Sequence, residues 1–119
     1  ISSYGVDITR LNHVSPKHDW ITENKEWKPI VQSYLACVSF VDEPVGKVIK
    51  ALENSDYAEN TYIVLISDHG FHLGEKERYA KRSLWEDGTR VPMIIVGPVI
   101  PKGKKCSKPT QWLDIEPTL

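Results

Sequence analysis

Asp68 and His69 stand side by side one residue, Ser67, past Tyr62-Ile63-Val64-Leu65-Ile66, an apolar, β-branched run that reads as a buried strand. A carboxylate and an imidazole that leave a strand end, on a loop loosened by Gly70 and Gly74, can turn into one crevice and share a metal ion. The competing reading is a strand-end turn in which Asp68 bonds only local backbone. His72 lies three residues after His69 and would add a second imidazole if that turn were helical. The two glycines argue against a regular helix, so His72 reads as a residue that lines the pocket or braces a ligand. Glu86, Asp87 and Arg90 have the types of an acid–base set, and read more simply as an ion-pair group that shapes the loop.

These residues need elements to position them. Upstream, Ile30, Tyr34, Val38, Val41, Val45, Val48, Ile49 and Leu52 recur at three- and four-residue spacings, which predicts a helix over Pro29 to Asn54 with one apolar stripe. Pro29 suits a first turn. Pro44 conflicts with a helix interior and predicts a kink, or two helices meeting near Asp42. The first strand is expected over Thr61 to Ser67 and a second over Val91 to Val96, closed by Gly97-Pro98. Between them, Asp68 to Arg90 reads as a long polar loop with a helical turn around Ser83 to Asp87. Thr110 to Leu119 opens a helix that Pro117 would break. Residues Ile1 to Lys28 show no sustained period and read as irregular chain. A helix feeding a strand, then loop and strand, gives an α/β class. Trp85, Trp112 and Tyr62 read as packing residues, and Trp20 and Trp27 as partly exposed.

The chain has 119 residues, enough for one small domain, and a net charge of -1 with both signs interspersed. That balance gives no reason to expect a nucleic acid or an anionic membrane as partner. The four lysines between Lys102 and Lys108 read as a solvated loop. No apolar run is long enough to span a bilayer, and Ile1 to Arg10 lacks the pattern of a signal peptide. The chain starts without Met and stops at Pro117-Thr118-Leu119, so both ends read as cut. Two strands are also too few to complete a sheet over the long helix, which predicts a part of something larger. Cys37 falls in the apolar helical pattern and reads as a buried small hydrophobe; Cys106 falls in the basic loop.

Six blocks stand in order along the chain. They are Tyr34-Leu35-Ala36-Cys37-Val38-Ser39-Phe40-Val41-Asp42, Val45-Gly46-Lys47-Val48, Ser67-Asp68-His69-Gly70 with Leu73-Gly74-Glu75, Tyr79-Ala80-Lys81, Thr89-Arg90-Val91-Pro92-Met93-Ile94, and Leu113-Asp114-Ile115-Glu116-Pro117-Thr118-Leu119. Together they resemble the C-terminal part of the sulfatase catalytic domain, in its iduronate-2-sulfatase-like branch of the alkaline-phosphatase-like superfamily. A lone Asp-His-Gly would be a weak signal; six ordered blocks are a strong one.

The resemblance implies a fragment of an α/β sheet flanked by helices, one partial domain in which residues 29–119 carry the likeness. It implies that Asp68 and His69 are two ligands of a divalent cation, calcium in most of the family. Donor chemistry alone would not choose calcium, which prefers all-oxygen shells, so manganese and magnesium stay open. The resemblance also makes Lys81 the residue that holds a sulfate oxygen and steadies charge as the S–O bond breaks. His72 stands beside it as a substrate-binding candidate read from the loop alone, with no role as the competing reading. A plain solvated lysine beside Arg82 is the competing reading of Lys81. The implied substrate is a sulfate ester, with sulfated saccharides among the candidates, and the implied compartment is exported, periplasmic or lysosomal.

The departures from the family pattern are equally specific. Sulfatases use a cysteine converted to formylglycine, in a motif of the form C-x-P-S-R or C-x-A-x-R. Cys37 is followed by Val38-Ser39-Phe40 and Cys106 by Ser107-Lys108-Pro109, and neither fits. The early Asp-Asp ligands and the upstream catalytic histidine have no counterpart, since His13 and His18 lie in the wrong context. Expected, then, is part of a sulfatase that depends on the remainder of the parent chain. The rival readings are a phosphodiester or phosphonate monoester hydrolase of the same superfamily, and a non-catalytic interaction fragment.

Overall fold

The computed structural model describes residues 3–11 and 16–119. The architecture is mixed α/β: helices α1 (Ser3–Thr9), α2 (His18–Glu23) and α3 (Trp27–Glu53), strand β1 (Ile63–Ile66), a short hairpin of β2 (His72–Leu73) and β3 (Tyr79–Ala80), helix α4 (Glu86–Thr89), strand β4 (Met93–Val96) and helix α5 (Ile115–Thr118). Single 3-10 turns lie at Ala58–Asn60, Glu75–Glu77 and Trp112–Asp114.

The apolar repeat does make one long helix. α3 has 27 residues, about 40 Å of rise. Pro29 is its third residue, where backbone N–H groups lack helical partners in any case. Pro44 is accommodated inside the element, which continues through it rather than dividing near Asp42. At the C-terminal end the Asn54 amide caps the Lys50 carbonyl at 2.6 Å, and the Ser55 hydroxyl takes the Leu52 carbonyl at 2.7 Å.

β1 pairs antiparallel with β4, in the register Ile63↔Val96 to Ile66↔Met93. The β-branched Ile63, Val64, Ile94, Ile95 and Val96 suit this pleated pair. The expected burial of β1 is not observed. Its residues are half-buried and Leu65 is exposed, because a two-stranded ladder has no neighbour on either edge and α3 reaches it only along a shallow groove. That groove runs between Pro44, Val45, Val48 and Ile49 on the helix and Ile63 to Ile66 on the strand.

The same shortage of partners changes other expectations. α3 contains no buried residue, and Phe40 and Val48 on it are 75% and 70% exposed. Cys37 is exposed rather than buried, like Cys106, and both are free thiols. Trp112 and Tyr62 are about as open as Trp20 and Trp27. Among the described residues the buried apolar side chains are Ile21 and Tyr79. The radius of gyration is 18.6 Å, against about 13–14 Å for a compact chain of this length.

The first 28 residues are not wholly irregular, since α1 and α2 form within them. Both are too short to show a helical period. Ile21 of α2 supplies one of the buried side chains, and His18 stacks on Tyr79 of β3 with Nδ1 3.1 Å from its hydroxyl. His13 falls outside the described residues.

Candidate active site

β1 ends where its β-branched run ends, and the chain turns at once. The Ser67 hydroxyl donates to the His69 carbonyl at 2.8 Å and closes the turn. Gly70 N–H donates to the Gly88 carbonyl at 2.9 Å, which seats the segment against α4. A Cβ on Gly70 would overlap the Asp87 carbonyl oxygen, so this close approach requires glycine. Gly88 is its counterpart: a Cβ there would meet the Ser83 hydroxyl at 2.6 Å and His72 Nε2 at 3.3 Å.

Asp68, His69 and Lys81 come together in this turn. His69 Nδ1 lies 2.8 Å from the Gly70 carbonyl, which can only accept, so Nδ1 carries the proton and Nε2 presents its lone pair. The Lys81 ammonium donates to that lone pair at 2.7 Å. Asp68 Oδ2 lies 3.5 Å from the same Nε2. The Asp68 side chain is 71% exposed and faces outward, while that of His69 is 31% exposed and half-buried.

This pair of donors fits a divalent cation in part. Neighbouring ligands at ordinary calcium–oxygen distances are spaced about 3.3–3.7 Å apart, and Asp68 Oδ2 and His69 Nε2 match that spacing. The tautomer also points the correct nitrogen. A third ligand is missing: among the described residues no group of three or more His, Cys, Asp or Glu side chains could hold a metal ion. Lys81 occupies the lone pair that a metal would use, so the two are alternatives at Nε2.

His72 is placed differently. Its side chain is completely buried, with Nε2 2.6 Å from the Ser83 hydroxyl, Nδ1 3.9 Å from Asp87 Oδ2, and its ring edge-on to Trp85. Burial pushes its pKa below the usual histidine range, against the pull of Asp87. Asp87 in turn pairs with Lys76 at 2.9 Å, and that hydrogen bond, chiefly, holds its carboxyl below the ordinary value. Glu86 pairs with Arg90 at 2.7 Å. These are the ion pairs expected of Glu86, Asp87 and Arg90, with Lys76 as the fourth member. The Lys76–Asp87 pair ties α4 to the hairpin, while Glu86–Arg90 closes one turn at α4 itself.

Residues that sequence reasoning passed over hold the Lys81 segment. The Arg78 guanidinium donates to the carbonyls of Lys81 and Arg82 at 2.6 and 3.4 Å. Arg10 reaches Glu77 at 2.7 Å from the end of α1. Nothing in a polar, charge-rich loop distinguishes these partners by type or spacing. A hollow of about 400 Å³ lies against the same hairpin, lined by His18, Trp27, Leu73, Gly74, Glu75 and Tyr79 among others.

The sulfatase family pattern matches residues 7–119. A sulfatase of Formosa agariphila is 55% identical over all 119 residues, which are 23% of its own length. A choline-sulfatase of Rhizobium meliloti is 40% identical over 74% of this chain and 17% of its own. The iduronate 2-sulfatase of Mus musculus is 42% identical over 77% of this chain and 16% of its own. This chain therefore belongs to the sulfatase family. It spans less than a quarter of the length of these relatives. No solved structure matches it.

Proposed function

We propose that this chain supplies one wall of a sulfate-ester hydrolase site, in which Asp68 and His69 hold a divalent cation and Lys81 binds the sulfate. The observation that carries the reading is the convergence of Lys81 Nζ and Asp68 Oδ2 on His69 Nε2. The relatives' names support sulfate rather than phosphate as the group handled.

Lys81 brings a compact positive charge on a flexible stem to the place where sulfate oxygens gain charge. His69 Nε2 accepts from that ammonium; a cation held at Nε2 would take the lone pair, and Lys81 would then be free to bind a sulfate oxygen. The Gly70 carbonyl keeps the His69 proton on Nδ1 throughout, so Nε2 stays available as a donor. A cation bound here, calcium by family resemblance with manganese or magnesium as alternatives, would draw charge from the sulfate oxygens and favour an ionised nucleophile. The nucleophile of this reading is a formylglycine elsewhere in the whole protein, because neither Cys37 nor Cys106 has the flanking residues of the conversion motif. The substrate is a small sulfate ester or a sulfated saccharide, and the compartment is exported, periplasmic or lysosomal. No described helix is long and apolar enough to cross a membrane.

The test is sulfate release by the full-length protein from an aryl sulfate and a sulfated monosaccharide, beside the matching phosphate esters. Wild type is compared with Asp68→Ala, and metal content is measured on both. The reading expects sulfate-ester turnover that falls together with bound metal in the variant. Unchanged metal and unchanged activity in Asp68→Ala would overturn it, and preference for phosphate esters would move the assignment to the phosphodiester or phosphonate hydrolases. A second reading, an interaction fragment, is favoured by the uncovered apolar face of α3.

A further inference from the structure

Lys81 is presented by backbone held in an unfavourable conformation on both sides of it. Ala80 has φ 61° and Arg82 has φ 68°, the left-handed region that glycine enters freely and that crowds the Cβ of other residues. Such conformations persist only where the surroundings enforce them, and they gather at functional sites.

Arg78 is placed to enforce this one. It is 6% exposed. Its backbone is fixed first: Arg78 N–H donates to the Glu75 carbonyl at 3.0 Å, and its carbonyl accepts from Gly74 N–H at 2.9 Å. From that anchor, Nη2 donates to the carbonyl of Lys81 at 2.6 Å and reaches that of Arg82 at 3.4 Å. Nη1 is buried without a partner. Burial and the charge of Arg82 both oppose its protonated state. A hairpin that needed stability alone would be served as well by an apolar side chain, since an unpaired buried charge is expensive. What the guanidinium adds is direction. It turns two successive carbonyls inward and leaves the Lys81 side chain free to reach His69 Nε2.

We propose that Arg78 is a positioning residue for sulfate-ester hydrolysis, holding the Lys81 and Arg82 carbonyls so that the Lys81 ammonium is delivered to the His69 edge of the site. This rests on the role proposed above for Lys81. Arg78 itself does not touch the substrate.

A double-mutant cycle on the full-length protein tests it, using Arg78→Met, Lys81→Ala and the pair, with kcat and KM for an aryl sulfate and a thermal melt of each variant. In the wild-type background, Arg78→Met is expected to lower kcat by about tenfold or more and to change KM by less than about threefold. In the Lys81→Ala background the same substitution is expected to change kcat by less than about twofold, because the group it positions is gone. Arg78→Lys, which keeps the positive charge and N–H donors at the end of a long stem, is expected to recover part of the loss. An equal fold-loss in both backgrounds, or no loss in the first, overturns the proposal. If Arg78→Met does not fold, the cycle is run with Arg78→Gln under the same criteria. If Lys81→Ala alone leaves turnover unchanged, the reading of Lys81 fails and the positioning role falls with it. A large loss for Lys81→Ala with additive effects of Arg78 overturns only the positioning role.

Discussion

The Lys81 ammonium lies 2.7 Å from Nε2 of His69, a residue twelve positions earlier in the chain. The contact is long-range on the scale of this loop, and two other features depend on it. It shows which His69 nitrogen is free, because Nδ1 is committed to the Gly70 carbonyl. It also puts a cation beside the donor pair formed with Asp68.

Metal retention should depend on both members of that pair. Asp68→Ala and His69→Ala in the full-length protein are each expected to lower divalent-cation affinity by about tenfold or more, read by elemental analysis after dialysis. His72→Gln is expected to leave metal content unchanged, since His72 is buried on Ser83 and Trp85. Equal loss in all three variants would mean that the loop, not the donors, governs the metal.

The buried His72 should make stability depend on pH. Its folded pKa lies below the ordinary histidine value of about 6.5, so as pH falls through that region the unfolded chain takes up a proton first. The stabilising contribution is therefore complete above the unfolded value and is lost progressively as pH drops toward the folded one. Thermal melts at about pH 8 and about pH 5.5 are expected to show a fall in the wild type that is smaller in His72→Gln. An identical fall in both would place the titrating group elsewhere.

Close approach at Gly70 should be intolerant of a methyl group. Gly70→Ala pushes a Cβ into the Asp87 carbonyl oxygen and strains the Gly70–Gly88 hydrogen bond. A loss of about 1–3 kcal/mol is expected, with loss of activity as the Asp68–His69 turn lifts off α4. A variant with unchanged melting and unchanged turnover would show that this packing is not needed.

The exposed apolar side chains of α3 predict how the 119-residue chain behaves by itself. With Val38, Phe40, Val41 and Val48 exposed, it is expected to elute above its monomer mass on size exclusion and to bind a hydrophobic dye. Phe40→Asp and Val48→Asp together should reduce both signals. A compact monomer with a cooperative melt would contradict the exposure of these side chains and remove support from the interaction-fragment reading.

The sequence made some of this legible and hid the rest for physical reasons. The Asp68–His69 turn could be read because its strand and its chemistry are adjacent in the chain. α3 could be read because a three- and four-residue repeat is a local signal, and Pro44 failed to divide it because one lost hydrogen bond does not outweigh a helix of this length. Periodicity says which face is apolar and not what covers it, so the burial expected of Cys37 and β1 did not follow. α1 and α2 are too short to show a period. The support of Lys81 was hidden most completely, because left-handed backbone at Ala80 and Arg82 has no glycine to announce it, and an arginine that bonds carbonyls looks like any surface arginine.

The most direct test of the central claim is kcat for sulfate release by the full-length protein carrying Lys81→Ala, measured beside wild type on one aryl sulfate. The account predicts a loss of about 10²-fold or more, the usual consequence of removing a charge that stabilises the transition state. Turnover within about twofold of wild type would contradict it and would make the contact between Lys81 and His69 a surface pairing with no part in the chemistry.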